Sequence, residues 1–362
     1  MANHHTALTP SGPRLPAFAQ RLVRWQRAHG RHDLPWQVSD PYRVWLSEIM
    51  LQQTQVATVV PYFERFVAAF PTVADLAAAS LDQVLAHWAG LGYYSRARNL
   101  HKAAQMVMAC FAGQFPDSAA VLAELPGIGR STAAAIAGFC FAERTPILDG
   151  NVKRVLARWA GVEGFPGEKA VEKQLWVWAE ALLPESAADM PAYTQGLMDL
   201  GASLCSRSKP ACAACPLRDD CRAHIEGRQA ELPTRKPKRV VPERATCMLL
   251  IRHGDRILLE KRPPTGIWGG MWGLPEVADS AAALAWCESQ GLRVKLGAAG
   301  PALLHVFTHF RLTIVPQAIE VLGEAGRVAE GAYQWYRLHD ALEAAIPVPV
   351  RKLLLQQGSG LD

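Results

Sequence analysis

Residues 121–159, VLAELPGIGRSTAAAIAGFCFAERTPILDGNVKRVLARW, read as a helix, a glycine hairpin, a second helix, a short apolar strand-like run and a third helix. Leu125-Pro126-Gly127-Ile128-Gly129 joins two helix-forming stretches, and its glycines let the backbone turn tightly and bring N–H groups against a flat anionic surface such as a phosphate. The helix that follows opens at Arg130-Ser131-Thr132, so its positive dipole end points to the same place. A lone Gly-x-Gly is more often a plain interhelical turn. Asp149 changes the balance, because it stands just before a helix whose Val152, Val155, Leu156 and Trp159 follow helical spacing, where it is an N-cap candidate.

A chain of 362 residues with 50% hydrophobic content holds two or three cores and folds as a globular protein. The net charge of +5 and pI of about 8.8 permit a polyanionic partner without requiring one. No apolar run approaches a membrane span, and MANHHTALTPSGPRLP lacks the apolar core of a signal peptide, which points to a soluble, cytoplasmic chain with a flexible tail at 1–16. Of eight cysteines, Cys110, Cys140, Cys247 and Cys287 are scattered among apolar residues and read as buried thiols.

Phe18, Leu22 and Trp25 give a first helix over 17–30. Asp40 is an N-cap with Pro41 at the first helical position, launching YRVWLSEIMLQQTQVATVV. In that helix Glu48 has Val44, Trp45 and Leu51 one turn away, so poor solvation should raise its pKa. The amides of Gln52 and Gln53 are of a kind that hydrogen-bonds base edges, although a polar helix face explains them equally well. Ser80 and Gln83 form a capping box for a helix ending near Leu91-Gly92. In Tyr93-Tyr94-Ser95-Arg96-Ala97-Arg98 that follows, rings beside arginines suit stacking on bases and holding phosphates. Residues 165–204 read as helical and lead into Cys205-x6-Cys212-x2-Cys215-x5-Cys221, whose four thiolates in a reducing compartment make a metal site, either tetrahedral zinc or a [4Fe-4S] cluster. Residues 226–244 are basic and proline-rich and read as a linker. Beyond them the pattern turns to β, with ATCMLLI, a His253-Gly254-Asp255 turn and RILLEKR as a hairpin.

LPGIGRSTAAAI followed by PILDGNVKRVLAR resembles the helix-hairpin-helix and aspartate signature of the endonuclease III superfamily of DNA glycosylases, most closely its adenine glycosylase branch, and the resemblance runs from about Leu34 into the C-terminal region. It implies a multidomain protein: an all-α helix-hairpin-helix glycosylase core with an iron-sulfur cluster loop, plus a C-terminal α+β Nudix-like domain. The helical region takes 17–225, with a six-helix barrel over about 40–148 and an iron-sulfur module from 17–39 plus 149–225, and the Nudix-like domain takes 245–362. The acidic core of a working Nudix box is missing, since AALAWCESQGL supplies only Glu288.

The resemblance implies a monofunctional glycosylase of base excision repair that hydrolyses the N-glycosidic bond of adenine opposite 8-oxoguanine or guanine. Glu48 aligns with the catalytic acid and Asp149 with the catalytic aspartate, while Ser131 stands where lyase-type relatives carry a lysine nucleophile. Ser131, Asn151 and Lys153 are supporting candidates, and Trp36 and Gln195 belong to the adenine pocket. Gln52, Gln53, Tyr93, Arg96, Gly127, Gly129 and Arg130 form the DNA-binding set, with Gln53 as the intercalating residue and Tyr93 as a wedge. Phe307, Thr308 and His309 stand where the family reads the lesion with Phe-Ser-His. Cys205, Cys212, Cys215 and Cys221 hold one [4Fe-4S] cluster, and the partner is double-stranded DNA bound by a monomer, with no membrane involved. The alternatives are an endonuclease III-like glycosylase of other substrate, or a non-catalytic iron-sulfur DNA-binding protein.

Overall fold

The computed structural model describes residues 14–236, 240–323 and 332–358, so most of the expected tail lies outside the described residues. The described chain divides into two compact units, one with the residues up to Ala77 and from Lys102 to the linker, the other with Ala78–His101 and the residues beyond the linker.

The first unit is helical. Helix α1 (Arg14–His29) begins three residues earlier than its apolar spacing predicts. Asp40 caps α2 (Pro41–Leu51) by accepting a hydrogen bond from the Tyr42 N–H, with Pro41 in the first turn. The long helix expected from Tyr42 to Val60 is two helices. Gln53 takes φ of 58°, in the left-handed region, and the chain restarts in α3 (Val56–Ala69), which no glycine or proline at 52–55 announces. Helix α4 (Val73–Ala78) follows, and α5 (Leu81–Trp88), which belongs to the second unit, carries the expected Ser80–Gln83 capping box but ends three residues before Leu91. Helix α6 (Ser95–Phe111) then leads to the short α7 (Ala119–Leu122), the hairpin, α8 (Arg130–Cys140) and α9 (Gly150–Ala160). Between α8 and α9 the run ends in buried Ile147 and Leu148 and pairs with no strand among the described residues. The stretch expected as helical over 165–204 breaks into α10 (Lys169–Ala181) and α11 (Met190–Ala202), with Pro184 in the gap.

Helix α11 packs against α1, α8 and α9 around a core that includes Phe18, Leu22, Ile147, Leu156, Trp159 and Leu197. A Cβ on Gly201 would sit 2.6 Å from the Asn151 Cβ, so a glycine is what lets α11 close on the first turn of α9. The cysteine loop follows, with the short α12 (Arg222–Ile225) after its last cysteine. The expected linker is tied down at its start: Leu232 is 2% exposed, and its carbonyl accepts a hydrogen bond from Arg158 Nε at 2.8 Å.

The second unit is built on a sheet of β1 (Glu243–His253), β2 (Arg256–Lys261), β3 (Trp272–Gly273), β4 (Glu276–Val277), β5 (Val294–Ala299), β6 (Leu303–Val306), β7 (Arg311–Val321) and β8 (Tyr333–Arg337). The expected β1–β2 hairpin forms across Gly254, and β1 also runs parallel to β7 along most of its length. Cys247, Leu249 and Ile251 alternate onto a core with Leu258, Ile319 and Cys287, the last from α13 (Ala282–Ser289), and α14 (Leu338–Glu343) and α15 (Val348–Gly358) complete the unit. Two of the cysteines expected as buried thiols, Cys247 and Cys287, are buried, whereas Cys110 is exposed. The boundaries differ from the expected 17–225 and 245–362, because α5 and the turn after it group with the sheet. The reason is polar: Asp82 on α5 accepts from the Lys261 ammonium and from Trp272 Nε1, and Arg98 Nη1 donates to the Gly269 carbonyl at 2.7 Å.

Candidate active site

In the first unit a cavity of about 440 Å³ is lined by Glu48, Trp36 and Gln195 together with Arg31, Ser47 and Phe139. The buried face of α2, with Val44, Trp45, Leu46 and Ile49, holds Glu48 in place, and Trp36 meets Phe63 edge to face at 5.4 Å. Although part of Glu48 opens to the cavity, desolvation by the surrounding protein pushes its pKa from an ordinary 4.5 to about 8, and the charge of Asp149 adds to the rise. The raised pKa expected from the apolar stripe is therefore present, and Asp149 is its second cause.

Asp149 caps α9 as the spacing predicts, its Oδ1 accepting from the Val152 N–H at 2.8 Å. A helix N-terminus favours the ionised form of such a carboxylate, but here burial opposes it. Burial raises its pKa, and the Val152 and Asn151 N–H groups with the Arg154 and Lys153 cations pull it back without cancelling the rise. Two desolvated carboxylates that feel each other hold one proton between them more readily than they lose both. The N–H bonds favour charge on Asp149, so the retained proton belongs on Glu48.

The supporting residues have defined partners. Ser131 Oγ accepts from the Leu148 N–H at 2.9 Å, which ties the start of α8 to the residue before Asp149. Asn151 Oδ1 accepts from Arg154 Nη2 at 2.9 Å. Lys153 is held by Glu172 at 2.7 Å and so is engaged in an ion pair on α10.

At the hairpin, Leu125 and Ile128 are buried while Gly127 and Gly129 are exposed. Gly127 needs its glycine for a φ of 82°. Gly129 does not: its φ is ordinary, and a Cβ there would meet nothing within 4 Å, so nothing in the chain itself asks for glycine. Its backbone caps α8 with no side-chain hydrogen bond, which leaves first-turn N–H groups open to an anion. Arg130, expected to bind DNA, instead lies 3.8 Å over the Trp176 ring and pairs with Glu180 at 2.6 Å. Gln52 is the C-cap of α2, and Gln53 is exposed in its left-handed conformation.

In the second unit Tyr93 also has a positive φ, 48°, and is exposed. Both wedge candidates thus carry a backbone conformation that costs a non-glycine residue energy, a feature concentrated at functional sites. Arg96 is a correction. It is 8% exposed, donates through Nη2 to the Leu91 and Gly92 carbonyls and lies over the Trp88 ring, so it braces the turn from within instead of meeting phosphate. The trio Phe307, Thr308 and His309 occupies the turn between β6 and β7. Phe307 stacks on Phe310 at 4.3 Å, and Thr308 and His309 are exposed with Thr308 Oγ1 3.4 Å from His309 Nδ1. Phe307, Thr308, His309, Tyr93, Arg98 and Trp268 line one cavity of about 590 Å³.

Cys205, Cys212, Cys215 and Cys221 line a further small cavity in the first unit. Among the described residues no three cysteine, histidine or acidic side chains are set to hold a single metal ion. Two arginines of α9 that sequence reasoning passed over hold this loop. Arg154 donates to the Cys205 carbonyl at 2.8 Å and to the Gly201 carbonyl at 2.6 Å, besides Asn151. Arg158, 3% exposed, donates to the Ser206 and Arg207 carbonyls and lies 3.3 Å from Cys205 Sγ. Their spacing of four residues on the helix that Asp149 begins was the available signal.

A compact helical unit, a glycine hairpin and a capping aspartate beside a desolvated glutamate define a class, and the comparisons agree with it. Residues 46–181 match the HhH-GPD superfamily of base excision DNA repair proteins, and residues 246–356 match the NUDIX domain. The solved structure of a thermostable thymine-DNA glycosylase is 26% identical, with a TM-score of 0.51 over 58% of this chain and 96% of its own. The adenine DNA glycosylase of Buchnera aphidicola from Acyrthosiphon pisum is 38% identical over 93% of this chain and 96% of the relative, and the Homo sapiens adenine DNA glycosylase is 33% identical over 93% and 73%. This chain belongs to the adenine DNA glycosylase family.

The Glu48 pKa has a consequence for stability. In the unfolded chain the group ionises near 4.5 and in the fold only near 8, so its burial begins to cost stability above 4.5 and costs it fully above 8. Glu48→Gln therefore raises the thermal midpoint relative to the parent by more at pH 8.5 than at pH 4.5, as read by circular dichroism at the two pH values.

Proposed function

We propose that this chain removes adenine from duplex DNA in which it is mispaired with 8-oxoguanine or guanine, as a monomer acting inside the cell, by hydrolysing the N-glycosidic bond without nicking the strand. The observation that carries the reading is Glu48, its pKa raised to about 8 by burial and by the charge of Asp149, lining a cavity that also presents Trp36 and Gln195. Its volume of about 440 Å³ is in the range that takes a small flat ligand, roughly 300 to 1,000 Å³.

Base excision from a duplex requires the nucleotide to leave the stack. The hairpin glycines and the open N–H groups of α8 take backbone phosphates, and exposed Gln53 and Tyr93 fill the space left in the duplex. The base enters the cavity, where Glu48 gives its proton to adenine N7 and makes the base a neutral leaving group. The sugar is left with positive charge. Asp149, ionised while Glu48 held the shared proton, stabilises it, and water completes the hydrolysis. Ser131 offers no amine for a Schiff base and serves to hold the chain before Asp149, which supports hydrolysis over strand cleavage.

The opposite base falls to the second unit. In its cavity Thr308 Oγ1 or a ring nitrogen of His309 accepts the N7–H of 8-oxoguanine, a donor that guanine lacks, with Phe307 alongside. The four cysteines line one small cavity, and their spacing resembles the superfamily's iron-sulfur loop, which favours a [4Fe-4S] cluster over one zinc ion. With Cys205, Cys212, Cys215 and Cys221 as its ligands, the cluster would fix the loop that Arg154 and Arg158 brace, and it takes no part in the hydrolysis.

Single-turnover assays on duplexes with adenine opposite 8-oxoguanine, adenine opposite guanine, and thymine glycol test the reading. Adenine release from the first two and none from the third is expected, with a rate that falls as pH rises through about 8. Glu48→Gln and Asp149→Asn should each abolish release while leaving DNA binding largely intact, and a variant that turns over near the parent's rate removes that residue from the mechanism. Thr308→Val with His309→Ala should lower the preference for 8-oxoguanine over guanine by roughly ten- to a hundredfold, the worth of one buried hydrogen-bond partner. An unchanged ratio would separate the turn from lesion reading. Chemical analysis of the purified protein should find iron and acid-labile sulfide in equal amounts, and zinc alone would reverse the choice of metal.

A further inference from the structure

Asp199 lies on α11 one turn after Gln195, and its side chain is 3% exposed. It takes three hydrogen bonds: from the Arg31 N–H to Oδ2 at 3.0 Å, from Arg31 Nε to Oδ1 at 2.7 Å, and from Gln195 Nε2 to Oδ1 at 2.8 Å. A carboxylate paired with a guanidinium only accepts, so it dictates which end of the Gln195 carboxamide faces it. That end is the nitrogen. Gln195 Oε1 has no partner among the described residues, and Gln195 lines the same cavity as Glu48. The support is packed tightly. A Cβ on Gly30 would lie 2.9 Å from Asp199 Oδ2 and 2.6 Å from the Gln26 carbonyl, so the glycine before Arg31 lets the chain press against the carboxylate.

We infer that Asp199 is a positioning residue that sets which base the cavity accepts: by locking the Gln195 amide it presents a fixed acceptor, which selects a purine with an exocyclic amino donor over its 6-oxo counterpart. The inference rests on the proposed release of adenine and adds the origin of base selection. A site that offers an acceptor pairs with the amino group of adenine, and it leaves two acceptors facing each other when the base is hypoxanthine. Such a mismatch is more costly than a missing methyl group, because a buried polar atom goes unpaired.

The test compares single-turnover release of adenine and of hypoxanthine from duplexes identical but for that base, and its readout is the ratio of the two rates. Because both rates are taken on one preparation, the ratio does not depend on the folded fraction. Because Asp199 Oδ1 accepts from both Arg31 Nε and Gln195 Nε2, the informative variant removes the acceptor altogether. In Asp199→Leu the Gln195 amide loses the group that fixes it and turns either end to the base. The ratio of adenine to hypoxanthine release should fall roughly tenfold or more. Adding Gln195→Glu to Asp199→Leu places a carboxylate, which offers an acceptor at either oxygen, toward the base and should recover most of the ratio. Gln195→Leu leaves the Arg31–Asp199 pair in place and should lower the ratio as well, which keeps the test open if Asp199→Leu fails to fold. An unmoved ratio in Asp199→Leu or in Gln195→Leu overturns the inference, as does a double variant that stays as low as the single one. With the parent active on adenine, any of these sinks the inference alone. A parent that releases no adenine sinks the proposed function and this inference together.

Discussion

The desolvation of two carboxylates that sense each other is the constraint on which the first unit turns. An isolated buried carboxylate takes up a proton, and a second one nearby makes the loss of that proton harder still. The fold assigns roles by environment. Glu48 sits among the apolar side chains of α2 and has only its proton to relieve it, whereas Asp149 receives backbone N–H groups at the start of α9 and has two cations on the same helix. The same pair of side chains on an open surface would titrate together and do nothing of this kind.

Holding that pair requires three helices to meet without slack, and α11 supplies the closure. Its Gly201 admits the first turn of α9, its Gln195 and Asp199 reach the cavity and Arg31, and its end leads into the cysteine loop. Arg154 joins these parts directly, since one guanidinium holds Asn151, the Gly201 carbonyl and the Cys205 carbonyl. The cysteine loop and the Asp149 cap are therefore both hydrogen-bonded to α9. The buried charge of Arg158 is tolerated because carbonyl groups of the loop and the linker surround it.

The second unit uses a different device. Its lesion-reading candidates sit in a two-strand turn with Phe307 stacked on Phe310, and the cavity they line includes Tyr93 from a segment that precedes the hairpin by some thirty residues in sequence, on the order of a few helices of chain. Strain marks the same place: Tyr93 and Trp268, both lining that cavity, are among the non-glycine residues that hold a positive φ. Loops that must meet a ligand carry such conformations when the surrounding structure enforces them.

What the sequence determined by itself was local or spelled out in a contiguous signature. The N-caps at Asp40 and Asp149, the Ser80–Gln83 box, the hairpin with its obligatory Gly127, the β1–β2 turn and the cysteine spacing are properties of short segments, where a side chain meets its own backbone within a few residues. The apolar stripe around Glu48 likewise announced its raised pKa. Tertiary structure decided the rest. That Arg96 points inward, that Arg130 lies on Trp176, that Lys153 is taken by Glu172 and that Asp149 is raised by burial all depend on partners remote in sequence. The break at Gln53 and the grouping of α5 with the sheet have no local signal, because neither glycine nor proline marks the first and partners remote in sequence, held by Asp82 and Arg98, anchor the second. An arginine or aspartate on a helix reads the same whether it faces water or a buried carbonyl, and only the packed fold says which.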